Sequence, residues 1–151
     1  MNRIGIVHNY YGTDFTASPD EYCSRITRSA RIGFDLMTVQ QDVPFMFSKE
    51  DKQKLLDTGE KENVKINYSG GFGPDSDICS DSAEAREKGA KHIQTLAKLI
   101  SEMDPGAEFA GAITGVFRDT LGSRDKSQCW EHSVNAMREG MKGAEDCGIV
   151  F

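Results

Sequence analysis

The chain has 151 residues, of which 38% are hydrophobic and 28% charged, and its net charge is -6. Such a length is enough for one domain with a real core, and the composition is that of an ordinary globular protein. The acidic balance argues against a nucleic-acid partner, which would need a clustered Lys/Arg face.

No stretch approaches the roughly 20 apolar residues that span a bilayer, so no membrane association is expected. At the N-terminus, Met1-Asn2-Arg3 leads into Ile4-Gly5-Ile6-Val7-His8. That run is too short for a secretory signal and reads as a first buried strand, so a cytoplasmic location is expected. Ser18-Pro19-Asp20-Glu21 then combines an N-cap serine, a proline at the first helical position and a glutamate placed for a capping box. The helix it opens places Tyr22, Ile26 and Ser29/Ala30 on one face and stops at Gly33. Arg25, Arg28 and Arg31 read as a solvated helix face.

Phe34 to Val39 is the second strand candidate. Ser48 caps a helix from Lys49 to about Glu62, and Val64 to Tyr68 gives a third strand by alternation. The loop Gly70-Gly71-Phe72-Gly73-Pro74 follows. A long helix from about Ser82 carries Ile93, Leu96, Ala97 and Ile100 at helical spacing and is stopped by Asp104-Pro105-Gly106. Phe109 to Thr114 is the fourth strand. The last helix, about Ser127 to Asp146, has an expected apolar stripe of Trp130, Val134, Met137, Met141 and Ala144. Gly148 ends it, and Ile149-Val150-Phe151 resembles the opening of a fifth strand.

Alternating strands and helices imply a parallel sheet with right-handed crossovers. Two architectures fit this α/β pattern: an open flavodoxin-like sheet, or a (β/α)4 half of a TIM (β/α)8 barrel. The pattern alone leaves both open. The four cysteines, Cys23, Cys79, Cys129 and Cys147, lack any CxxC pair and read as free thiols, two or three of them on buried helix faces.

In either architecture a ligand sits at the C-terminal ends of the strands. His8 falls where the first strand meets its loop, and there it is either a ligand contact or a hydrogen-bonded structural histidine. Tyr11 and Phe117 are aromatics that stack on a sugar ring or simply belong to the core. Gly71 lies in a loop without phosphate-binding spacing, where glycine permits unusual φ angles and close backbone approach to a small ligand. Cys129 and His132 stand three residues apart like a nucleophile and its base. They lie on a helix of the outer layer, however, and packing is the preferred reading. No catalytic residue and no metal-ligand set emerges. No two acidic residues fall at the ends of neighbouring strands, where paired acid/base chemistry would need them.

The residues nevertheless suggest a family. Ile4 to Tyr11 looks like the first strand and aromatic loop of ketose 3-epimerases of the D-tagatose/D-allulose (D-psicose) type, and Ile32-Gly33-Phe34-Asp35-Leu36 resembles their second strand. Ser69 to Pro74, with Ile78 to Arg86, is similar to their glycine-proline loop and the helix start after it. Trp130-Glu131-His132-Ser133-Val134 resembles their fourth helix. The resemblance covers essentially the whole chain, in order. It implies residues 1–151 as the N-terminal half of a TIM-barrel sugar isomerase/epimerase domain, incomplete at its C-terminal end. The family inverts C3 of free ketoses through an enediolate, using manganese or another divalent metal and two glutamates. Those groups belong to strand five and beyond, so the resemblance implies neither cofactor nor catalytic residues for this chain, which alone is expected to be inactive. It leaves His8, Tyr11, Gly71 and Phe117 as candidate sugar contacts. Thr38 stands where the family has a glutamate, and Phe117 where it has a tryptophan, which bears on sugar preference. The alternative is a stand-alone half-barrel binding or assembly module, in which two copies self-associate as a homo-oligomer.

Overall fold

The computed structural model describes residues 3–12, 17–109 and 125–149. They fall into two compact units, one of residues up to 69 with the strand at 108–109, the other of residues 70–106 and 125–149.

The first unit is built on a parallel sheet of β1 (Gly5–Val7), β2 (Leu36–Gln40), β3 (Lys65–Ser69) and β4 (Glu108–Phe109), in the spatial order β1-β2-β3-β4. That order separates the two architectures left open by the sequence. A flavodoxin-like sheet places its second strand outside the first, whereas a barrel adds strands one after another. The sheet is therefore of the half-barrel kind.

Its helices start where the sequence marks them. Ser18 accepts a hydrogen bond from the Glu21 amide to cap α1 (Pro19–Arg31), and Gly33 follows at φ +93. Ser48 caps α3 (Lys49–Glu62) through the Asp51 amide, and Asn63 ends that helix in the left-handed conformation. A short helix not foreseen in the sequence, α2 (Val43–Met46), lies between β2 and α3. Tyr22, Ile26 and Ser29 of α1 are fully buried, and Ser29 Oγ lies 3.7 Å from Met37 Sδ on β2. Gly59 of α3 lies against Ile66 on β3. Met37 and Ile66 are register partners, so α1 and α3 cover the same face of the sheet.

The opposite face carries a polar row in register, Thr38, Asn67 and Glu108, with Lys65 Nζ 2.6 Å from Glu108 Oε1. Alternation between a buried and a solvated face, expected for β3, is not observed. Ile66, Asn67 and Tyr68 are all buried, as in sheets enclosed on both sides.

The second unit holds α4 (Ala83–Met103), capped by Ser82, and α5 (Lys126–Cys147), capped by Asp125. The large-residue stripe expected on α5 is not its buried face. Trp130 is 71% exposed, and the buried positions are the small residues Cys129, Ala136, Gly140 and Ala144. A Cβ at Gly143 would come 2.9 Å from Gln94 of α4, so small residues allow the two helices to approach closely. Beyond Phe109 the fourth-strand candidate lies outside the described residues, as do Val150 and Phe151 of the fifth; Ile149 is buried. All four cysteines are free thiols. Cys79 and Cys129 are buried, and Cys79 sits in a turn rather than on a helix.

Candidate functional site at the carboxyl ends of the strands

In the first unit, parallel strands bring His8, Gln40 and Ser69 to one end of the sheet. His8 opens a 3-10 turn (His8–Tyr11) directly after β1 and is 3% exposed. Its ring centroid stands 5.9 Å from that of Tyr22. Burial lowers its pKa below 6.5, a hydrogen bond with Gln40 opposes the shift, and the nearby Arg25 cation adds to the lowering. The imidazole is therefore neutral at neutral pH, suited to hydrogen bonding with an oxygen-rich ligand. Gln40 also donates to Asp42 Oδ2 at 3.3 Å, and the Gln41 amide donates to the Ser69 carbonyl at 2.8 Å, tying β2 to β3 at this end.

Tyr11 is half-buried. Its hydroxyl is within 2.9 Å of Ser29 Oγ, and the Arg28 guanidinium lies 4.8 Å from its ring centroid, so one ring face already carries a cation. Tyr10, edge-on to Tyr11 at 5.4 Å and 74% exposed, is the more open aromatic of this loop. Gly71 belongs to the second unit. It is exposed, and a Cβ there would meet nothing within 4 Å. Neither Gly71 nor Gly73 has a positive φ, so unusual backbone angles do not account for these glycines. The open space around Gly71 does leave room for a ligand. Phe117 lies outside the described residues.

Sequence reasoning missed Arg25. Read as part of a solvated basic face, it is instead 3% exposed, with Nε 3.0 Å from Glu21 Oε1 and Cζ 5.5 Å from the Tyr22 ring centroid. Its spacing from Tyr22, Ile26 and Ser29 was the available signal, because all four share one helical face. Arg28 and Arg31 are exposed, as read.

In the second unit, His92 is half-buried, 6.1 Å from Phe72 of the glycine loop between ring centroids. His132 lines a groove of about 520 Å³ between α4 and α5, together with Arg86, Lys91, Gln94 and Glu139. Among the described residues, no three His, Cys, Asp or Glu side chains converge as a metal site would require. No described helix is long and apolar enough to cross a membrane.

Sequential parallel strands with helices on one face define an α/β half-barrel, with a polar cluster at the carboxyl ends of its strands. Comparison with known proteins gives the particular likeness. A D-psicose 3-epimerase of Ruminiclostridium cellulolyticum is 23% identical over 150 residues, covering 99% of this chain and 50% of that protein. The structure of a D-psicose 3-epimerase with D-tagatose from Clostridium cellulolyticum H10 superposes with a TM-score of 0.84 at 23% identity, over 98% of this chain and 50% of that one. An L-ribulose 3-epimerase superposes with a TM-score of 0.70 at 21% identity, over 99% of this chain and 48% of that one. No family model matches. The chain thus resembles ketose 3-epimerases along its whole length and spans about half of theirs, consistent with an N-terminal half of their barrel.

Proposed function

We propose that this chain forms one half of the barrel of a ketose 3-epimerase. In this reading it supplies sugar-contacting surface at the carboxyl ends of its strands. His8 provides a neutral hydrogen-bonding group, Tyr11 an aromatic wall, Gly71 an uncrowded backbone, and Phe117 a stacking ring. The divalent metal and the two glutamates that remove and return the C3 proton belong to the other half of the barrel, so the reaction needs both. The observation that carries this reading is the match of 98% of this chain to only 50% of an epimerase, at a TM-score of 0.84.

The test is deuterium exchange at C3 of D-psicose and D-tagatose in deuterated water with added manganese. The purified 151-residue chain should show none above a host-protein blank, while D-psicose should perturb the His8 ring resonances. Robust exchange by this chain alone would refute the division of labour.

A second reading, self-association into a closed assembly, is favoured by the edge of the sheet. Among the described residues β1 pairs with β2 on one side only, and Ile4 just before it and Val7 at its end are 65% and 49% exposed. Sedimentation over a wide concentration range separates the two, since a stable dimer without ketose binding supports assembly over catalysis.

A further inference from the structure

The groove between α4 and α5 exists because small side chains form its floor. Ala90 and Ala136, both buried, leave open the space between the flanks of the two helices. Gln94 Nε2 donates to the Glu139 carbonyl at 2.9 Å and bridges the helices at one end of the groove. Arg86 stands at the other end, two turns earlier on α4, so the groove runs for about 12 Å. Its volume of about 520 Å³ is that of a small-molecule site.

The charges lining it are unevenly answered. Arg86 is half-buried, and its Nη1 donates to the Ser80 and Asp81 carbonyls at 2.6 and 2.9 Å. Those neutral acceptors anchor the guanidinium without cancelling its charge. Among the described residues neither Arg86 nor Lys91 on the rim makes an ion pair. Of the two acids in the lining, Glu139 is held through both oxygens by Lys142 Nζ, at 2.7 and 2.8 Å. Exposed Glu87 is then the single carboxylate set against two cations. His132, on the facing helix, has a buried Nδ1 without a hydrogen-bond partner, so the polar capacity of this lining is not used up within the fold. An anchored cation with an apolar floor running away from it suits a ligand charged at one end and apolar along its body.

We propose that the α4–α5 groove binds a small organic carboxylate, with the carboxylate on Arg86 and the apolar body along Ala90 and Ala136. The site shares no residue with the sugar-binding reading and stands or falls apart from it.

Two NMR signals report its two ends, Arg86 Nε–Hε and the Gln94 side-chain amide. The whole 151-residue chain is titrated with hexanoate, acetate and hexanamide. Hexanoate should shift both signals saturably. Acetate lacks the body and hexanamide lacks the charge, and each should bind about tenfold more weakly or worse. Ala136→Leu fills the floor and should abolish the hexanoate shifts, whereas Lys91→Gln, at an exposed position, should weaken binding by roughly threefold. If Ala136→Leu fails to fold, Lys91→Gln and the wild-type series decide. Absence of saturation by hexanoate below about 10 mM overturns the proposal. Hexanamide binding as tightly as hexanoate overturns it as well, because Arg86 then recognises no charge. Equal binding by acetate, or hexanoate shifts that persist in folded Ala136→Leu, would show that the floor contributes nothing and is equally fatal.

Discussion

Gly140 and Ile93 meet with no room for a methyl group between them: a Cβ at position 140 would stand 2.8 Å from Ile93 Cδ1 and 2.9 Å from Ile93 Cβ. An exposed helical glycine replaced by alanine gains roughly 0.5–1 kcal/mol. Here overpacking, typically about 1–3 kcal/mol, opposes that gain, because the Ile93 Cβ cannot swing aside as a side-chain tip can. Gly140→Ala should therefore destabilise the protein. Gly89→Ala should do worse, since its Cβ would fall 2.5 Å from the Ser76 backbone oxygen. Gly71→Ala, with open space and ordinary φ, is the control and should leave the urea midpoint unchanged.

The pH dependence of stability near neutrality should report His8. Burial and the Arg25 charge hold its folded pKa below the ordinary 6.5, so the unfolded chain takes up the proton first. Stability is then complete above about 6.5, falls as pH drops below that value, and levels off once the folded imidazole also protonates. Glu108, which the Lys65 hydrogen bond and charge shift down from 4.5, contributes its own loss only at lower pH. Urea unfolding between about pH 7.5 and about pH 5.5 isolates the histidine. His8→Gln should flatten the slope in that window, and an unchanged slope would remove His8 as its source.

Much of the fold was legible because helix starts are written locally. Ser18-Pro19, Ser48 and Ser82 announce α1, α3 and α4, and each serine accepts a hydrogen bond from the amide three residues on. The choice between barrel and open sheet was not legible, because strand order depends on pairings distant in sequence. Burial of polar groups was misread for a related reason. Arg25 sits on the Tyr22–Ile26–Ser29 face, but residue type alone suggests solvent, and only the packing of α1 shows otherwise. On α5 the same bias favoured Trp130 and the methionines over Ala136 and Gly140 as core, although Ala144 was read correctly. Close helix contact selects small residues, which carry little hydrophobic signal. At the candidate site, His8 was found from its place at a strand end. Its hydrogen bond with Gln40 was not legible, because that contact crosses from the end of β1 to the end of β2.

Tyr11 is held by two separable interactions, and mutation should apportion them. Tyr11→Phe removes the contact with Ser29 Oγ but leaves Ser29 bonded to the Arg25 carbonyl at 2.8 Å, so no buried hydroxyl is orphaned. The expected cost is about 0.5–1.5 kcal/mol. Arg28→Ala removes an exposed cation from the ring face, at a cost of about 0.5–1 kcal/mol. If Tyr11 also stacks on a sugar, Tyr11→Phe should retain ketose binding and Tyr11→Ala should lose it, as followed at His8 by NMR. Equal binding by both variants would show that the ring is structural only.

Trp130 is the one tryptophan in the chain, which makes α5 its own reporter. With the side chain 71% exposed, its emission should be that of a water-exposed indole and fully open to acrylamide quenching. Trp130→Ala should change stability by no more than about 0.5 kcal/mol, as expected for a surface position. Trp130, Val134, Met137 and Met141 line up along one side of the helix, the last three half-buried. Covering that side with another polypeptide would shift the emission to the blue and shield the ring. A titration of protein concentration therefore separates a solvated helix face from a contact surface. Constant red emission across the range supports the former, whereas a concentration-dependent blue shift that disappears in Met137→Lys supports the latter. A buried, unquenchable indole at the lowest concentration would contradict the packing of α5 through Cys129, Ala136, Gly140 and Ala144.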